Sequence, residues 1–246
     1  MNDYRTNETR VALISGASKG LGLELAGFLA ARGYHLLLTA RGRRQLEEAA
    51  DQLRITGSKV TTIPGDIADP TRRQELLDAV QAFGRLHILV NNASTLGPLP
   101  MPALPAYRLD DLRRVFEVNT FAPLALVQGL RPLLAAAHGL VVNLSSDAAV
   151  GGYDGWGGYG SSKAALDLLS LTLANELRND GIAVVSVDPG DMRTGMHQDA
   201  FPGEDIGDRP LPEVTLPFWA WLFGQDPTAI NGQRFQAQSE LWLVPA

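Results

Sequence analysis

The feature that most restricts this chain is a rhythm: apolar runs of strand length alternate with longer stretches of helical period. Such alternation is the pattern of βαβ units joined into a parallel sheet. It predicts strands at 11–15, 35–40, 59–63, 86–91, 139–144 and 182–188, and a short last one at 233–235. Runs such as Leu140-Val141-Val142-Asn143-Leu144 are apolar without alternation, as expected when helices cover both faces of a sheet. The intervening helices fall at 21–32, 44–56, 70–83, 109–137 and 159–180, with one or two shorter ones after Pro189. Pro123 and Pro132 should kink or break the fourth. The expectation is an α/β, doubly wound parallel sheet with helices on both faces, in a single domain over 1–246. Hydrophobic residues at 45% against 20% charged supply enough apolar material for that core. Only 191–217, rich in Pro, Gly and acids, is irregular at length, which marks a substrate lid rather than a domain boundary.

Charge and composition remove several functions. A net charge of -6 without any Lys/Arg block argues against nucleic acid and anionic membrane surfaces, so a small-molecule partner is expected. The polar opening lacks the apolar core of a secretory signal, and no later run is apolar enough to span a bilayer, which gives a cytoplasmic expectation. With no cysteine and four scattered His, thiolate chemistry is excluded and no metal site is expected.

The first strand runs into Ser15-Gly16-Ala17-Ser18-Lys19-Gly20-Leu21-Gly22 and then a helix. In that context glycines let the backbone approach a pyrophosphate, and the helix amino end offers unpaired N–H groups. An acid at the end of the second strand would bind an adenosine ribose 2′-hydroxyl, but that place is held by Ala40. Arg41 and Lys19 can instead converge on a 2′-phosphate, so NADP(H) is expected over NAD(H); the plainer reading makes both solvated surface charges. Asp66, with Ile67 beside it, is placed for the adenine edge or for a turn cap, and Asn92-Ala93 for the cofactor or for loop stability.

Tyr159 and Lys163 stand one helical turn apart on one face. A phenol titrates near pH 10, too high for an effective base at neutral pH, and a neighbouring ammonium and the positive nicotinamide ring would both lower it. Ser146, chosen over Ser145, ends the fifth strand with a hydroxyl for a substrate oxygen, and Asn119 is the remaining polar residue that would hold a water against Lys163. Around them Thr95 to Pro98, Val150 to Trp156 and Met192, Met196, His197 and Phe201 are mainly apolar, suiting a ketone or aldehyde with a hydrophobic or aromatic body.

These residues carry a likeness. The glycine loop, Asp66, Asn91-Asn92-Ala93, Asn119, Ser146, Tyr159-x-x-x-Lys163 and Asp188-Pro189-Gly190 with Thr194 occur in an order that resembles the short-chain dehydrogenase/reductase family over nearly the whole chain. The resemblance implies a Rossmann-like fold and hydride transfer between NADPH and a carbonyl carbon, with Asn119, Ser146, Tyr159 and Lys163 as a catalytic tetrad. It further implies that Pro189, Gly190 and Thr194 hold the nicotinamide carboxamide, and that dimers or tetramers form through the helices following Asn119 and Tyr159. Two positions depart from the family pattern: Ser15 stands where many members have Thr, and Ser94 where the usual motif has Gly. Two rivals remain: an NAD-linked alcohol dehydrogenase, and a non-catalytic NADP(H)-binding sensor or scaffold.

Overall fold

The computed structural model describes residues 9–244. Seven parallel strands form one sheet in the order β3-β2-β1-β4-β5-β6-β7. They are β1 Val11–Ser15, β2 His35–Thr39, β3 Val60–Thr62, β4 Ile88–Asn91, β5 Leu140–Leu144, β6 Ala183–Asp188 and β7 Arg234–Gln236. Every expected strand forms, each within two residues of its expected ends.

Side chains of alternating residues feed two cores, one on each face. From β1 and β2, Ala12, Ile14, Leu36 and Leu38 pack with α1 (Gly20–Ala30) and with Phe218 and Trp219. Val11, Leu13 and Leu37 pack on the other face with Leu76 and Val80 of α3 (Pro70–Gln81) and with α5 (Ala122–Ala135). Burying each such Leu or Val contributes about 1.5–3 kcal/mol, which is why these strands tolerate no polar side between them. The amphipathic α2 (Arg43–Ile55) buries only Leu46, Ala49 and Ala50.

The helix over 109–137, expected to kink or break at its prolines, is three pieces: α4 (Leu109–Phe116), a π-helical turn at Glu117–Phe121, and α5. Pro123 lies in the first turn of α5 and has no N–H to return to the carbonyl of Asn119. The chain takes up the mismatch one turn earlier, where the Ala122 N–H bonds back to Glu117 O. Pro132 sits inside α5 without ending it. The fifth expected helix is α6 (Gly157–Glu176), followed by a 3₁₀ turn at Arg178–Asp180.

The stretch 191–217 contains more order than expected. It holds α7 (Gly195–Ala200), a 3₁₀ turn at Pro212–Thr215 and the first residues of α8 (Leu216–Leu222). The Thr194 hydroxyl starts α7 by accepting the His197 N–H at 3.2 Å. A last short helix, α9 (Pro227–Ile230), leads to β7. Strand order reverses between β1 and β4, and at such a switch point the loops leaving the carboxyl ends diverge and open a crevice.

Candidate active site

A cleft of about 370 Å³ opens there. Its floor is the glycine turn. Gly16 has φ +69°, and a Cβ on it would lie 2.7 Å from Asn92 Nδ2. On Gly22 a Cβ would lie 2.3 Å from Gly16 O, so α1 can approach the turn only where both lack side chains. Gly22 thus stands behind the wall, while Gly16, Ser18, Lys19, Gly20 and Leu21 line it. Lys19 provides no side-chain cap to α1, and no acid sits in its first turn. The helix amino end therefore presents donors and partial positive charge that no protein group there neutralises, which fits a pyrophosphate.

Ser15 fastens this turn to β4: its hydroxyl accepts the N–H groups of Asn92 and Ala93, each at 3.0 Å, and donates to Val90 O at 3.3 Å. Asn92 Nδ2 donates to Ser15 O (2.9 Å) and Gly16 O (3.1 Å), so its side chain follows the loop-stabilising reading although the residue lines the cleft. Lys19 and Arg41 both lie on the wall, joined by Gly42 and Gln45, which sequence reasoning missed. Asp66 and Ile67 line it too. Asp66 Oδ1 accepts the Ala68 N–H at 3.0 Å, and Oδ2 pairs with Arg114 of α4. Burial opposes that charge, but the Ala68 N–H and Arg114 together hold the carboxyl below the usual range. Arg114 was also missed; it lies 48 residues from its partner on a helix whose register alone does not reveal the pair.

At the other end Tyr159 and Lys163 lie on the same cleft wall, 8% and 2% exposed. Burial pushes the phenol up to about 12, partly offset by the neighbouring hydroxyls of Ser94 and Ser146 and reinforced by Asp188 and Asp147. Burial pushes the Lys163 amine down to about 8, against the attraction of Asp167. Lys163 Nζ is 5.6 Å from the Tyr159 ring centroid and donates to Leu144 O at 2.6 Å. Ser146, just outside the lining, donates to Asp147 Oδ1 at 2.9 Å and accepts the Ala148 N–H at 3.1 Å, capping a 3₁₀ turn at Asp147–Ala149. Ser145 lines the cleft with a buried hydroxyl that finds no partner among the described residues, as befits a wall that a ligand completes.

Asn119 lies behind the wall, and its side chain is fully used. Nδ2 donates to Thr95 O (2.9 Å) and Ser162 Oγ (3.0 Å), while Oδ1 accepts from the Thr95 N–H (2.9 Å) and Ser94 Oγ (3.2 Å). An amide has four such bonds to make, so this side chain has none left for a water against Lys163.

Beside Tyr159 lies an aromatic cluster whose Trp156, His197 and Phe201, expected near the substrate, stand outside the cleft lining. Trp156 meets Tyr159 edge-on at 5.8 Å between centroids and Phe201 at 5.9 Å, and Phe201 meets His197 at 4.9 Å. Leu96, Met101 and Met196 pack into the same cluster. Pro189, Met192 and Thr194 line the cleft. Gly190 supplies the turn behind them, its N–H bonding to Asp188 Oδ1 at 3.0 Å. Gln238, missed from sequence, pins that turn by donating to Pro189 O (3.0 Å) and Asp191 O (2.9 Å).

A seven-stranded parallel sheet with a glycine turn at its switch point defines an α/β protein of the dinucleotide-binding class. The short chain dehydrogenase family model matches residues 10–205, and the chain belongs to that family: it is an oxidoreductase acting on alcohol or carbonyl groups. Serine 3-dehydrogenase of Agrobacterium fabrum is 32% identical over 228 residues, covering 89% of each chain. The benzil reductase of Saccharomyces cerevisiae that forms (S)-benzoin is 31% identical over 219 residues, covering 87% of this chain and 82% of its own. A protein of Escherichia coli CFT073, solved in complex with NADPH, superposes with a TM-score of 0.86 at 30% identity, covering 94% of this chain and 97% of that one.

Proposed function

We propose that the protein is an NADPH-preferring reductase of ketones or aldehydes in which Tyr159 is the acid/base. The observation that carries this reading is the burial of Tyr159 and Lys163 on the wall of the cleft that the glycine turn floors. NADPH supplies the hydride when bound. Tyr159, held neutral by burial, gives its proton to the carbonyl oxygen as charge develops there, and Ser146 beside it holds the same oxygen. Lys163, held at Leu144 O with Nζ 5.6 Å from the Tyr159 ring centroid, supplies positive charge beside it.

Lys19 and Arg41, with Ala40 in place of an acid, support NADP(H) over NAD(H). The row of Tyr159, Trp156 and Phe201 supports a substrate with an apolar or aromatic body, in keeping with the aromatic diketone named for the yeast relative. The chain is read as one catalytic domain with 191–217 as its lid. Exposed Leu168 and Leu171 on α6 support a dimer or tetramer through that helix. Among the described residues no helix is long and apolar enough to cross a membrane, in keeping with a cytoplasmic enzyme.

Replacing Tyr159 by Phe tests the reading. Turnover of apolar ketones should fall about 10²–10⁴-fold, while NADPH still binds, as read by fluorescence. Retained turnover would remove Tyr159 from the chemistry, and NADPH binding without any carbonyl turnover in the native enzyme would favour a sensor.

A further inference from the structure

We propose that Arg234, on edge strand β7, is a positioning residue for Ser146: its guanidinium bonds the Ser146 carbonyl, braced by the carboxylates of Asp167 and Asp188, and so holds the Ser146 hydroxyl in place for the substrate oxygen. The proposal rests on the role given to Ser146 above.

β7 closes one edge of the sheet and pairs with β6, with Arg234 beside Ser186 and Gln236 beside Asp188. Side chains alternate along a strand, so Phe235 enters the core that holds Val187, and Arg234 leaves on the opposite face, where it meets α6. There its Nε donates to Asp167 Oδ2 at 2.9 Å. One terminal nitrogen donates to Ser146 O at 2.8 Å and stands 3.6 Å from Asp188 Oδ2. Three elements thus meet at one planar group, and each carries part of the candidate site. Ser146 follows β5, Asp188 ends β6 and starts the Pro189-Gly190 turn, and Asp167 lies one turn beyond Lys163 on α6.

β5 leaves its ladder with β6 at the Ser145 N–H, which bonds Val187 O at 2.7 Å. Beyond that point the Ser146 carbonyl accepts from two directions. The Ala149 N–H, at 3.1 Å, closes the 3₁₀ turn, and Arg234 bonds from outside it, so both lone pairs are filled. The first bond moves with the turn, whereas the second ties the turn to the sheet edge and to α6. A lysine would offer one nitrogen where the guanidinium uses two in a fixed fork. The two acids make the arrangement costly to disturb, because their side chains are only 15% and 6% exposed. Burial raises the Asp188 carboxyl, the Gly190 N–H and Arg234 hold it down, and Asp147 and Asp167 raise it further. Arg234 lines a second cavity, of about 330 Å³, that shares no residue with the cleft. It therefore acts through the groups it holds.

The test is a cycle of variants read as turnover of an apolar ketone with NADPH: Ser146→Ala, Arg234→Met, Arg234→Lys, and each Arg234 change combined with Ser146→Ala. Ser146→Ala should lower kcat about 10²–10³-fold, as for loss of one donor to a developing oxyanion. Arg234→Met should lower kcat about 10–10²-fold by misplacing that hydroxyl, with NADPH affinity unchanged and a lower melting midpoint from the two stranded acids. Arg234→Lys keeps a cation between the acids and should melt close to the native protein while kcat stays about tenfold down. On the Ser146→Ala background either change should cost less than about twofold more, because the hydroxyl it positions is already gone. Losses that multiply, a native kcat in Arg234→Lys, or a loss confined to NADPH affinity would overturn the proposal. If Arg234→Met does not fold, the lysine variants complete the cycle. Full turnover by Ser146→Ala would remove the role given to Ser146, and the proposal with it, so that single variant tells the two failures apart.

Discussion

The two ends of the cleft are built by opposite means. At the glycine turn nearly every contact is backbone: Ser15 and Asn92 spend their side chains on main-chain groups, and α1 meets the turn through two glycines with no room for a methyl. At the Tyr159 end the protein buries groups that would rather be in water, and both are displaced from their ordinary titration. The first end is a mould whose free energy comes from fit. The second holds electrostatic stress that packing elsewhere must offset.

Changing Lys163 to Met should separate the ends most sharply. Turnover should fall about 10²–10⁴-fold, in the range for loss of a group that supports proton transfer. Stability should move the other way. Because the folded amine titrates near 8 and the unfolded one near 10.5, the cost of burying the ammonium is fully present below pH 8 and is relieved as pH rises to about 10.5. That shift corresponds to about 3 kcal/mol, less about 1–3 kcal/mol for leaving Leu144 O without its donor. The variant should therefore melt no lower than the native protein at pH 7, and the native protein should gain on it between pH 8 and 10.5. A variant markedly less stable at pH 7 would show that the buried amine is not under stress.

Gly22→Ala should do the reverse and move stability and binding down together. Its Cβ would lie 2.3 Å from a backbone oxygen, which cannot swing aside as a side chain can. Overpacking of this kind costs about 1–3 kcal/mol, and relief by displacing α1 would draw its amino end away from the cleft. A lowered melting midpoint with weakened NADPH binding is expected; unchanged affinity would mean that the helix end does not hold the cofactor.

The same contrast explains what could be read from sequence. The sheet and the glycine turn depend on local period and spacing, so β1, its turn and α1 were legible within a residue or two. Pro123 made a break in the helix over 109–137 legible, but not its place at Glu117–Phe121, because the apolar period runs through it and the effect appears one turn before the proline. The stretch 191–217 reads as loop from its composition, yet one hydroxyl on Thr194 suffices to start α7. Tyr159 and Lys163 were legible as a spaced pair, but not the direction of their titration, which burial sets. The partners of Asn119 lie 24 to 43 residues away, beyond any local pattern.

The smallest effect is expected at the outer rim, where the mould meets solvent. Arg41 is exposed on the cleft wall, and its charge also acts on Asp66. Asp66 keeps the Ala68 N–H and the Arg114 pair without it, so Arg41→Ala should leave the turn folded. What it should lose is one charge-assisted bond to a 2′-phosphate in a solvated place, roughly tenfold in NADPH affinity or about 1.4 kcal/mol, with NADH affinity unchanged. Because the contact is exposed, the native preference should narrow as salt rises and the variant's should respond less. Paired titrations of both cofactors at low and high ionic strength read this directly. An equal loss for NADH would mean that Arg41 holds the cofactor through a group common to both, and the preference would then have to come from Lys19 alone.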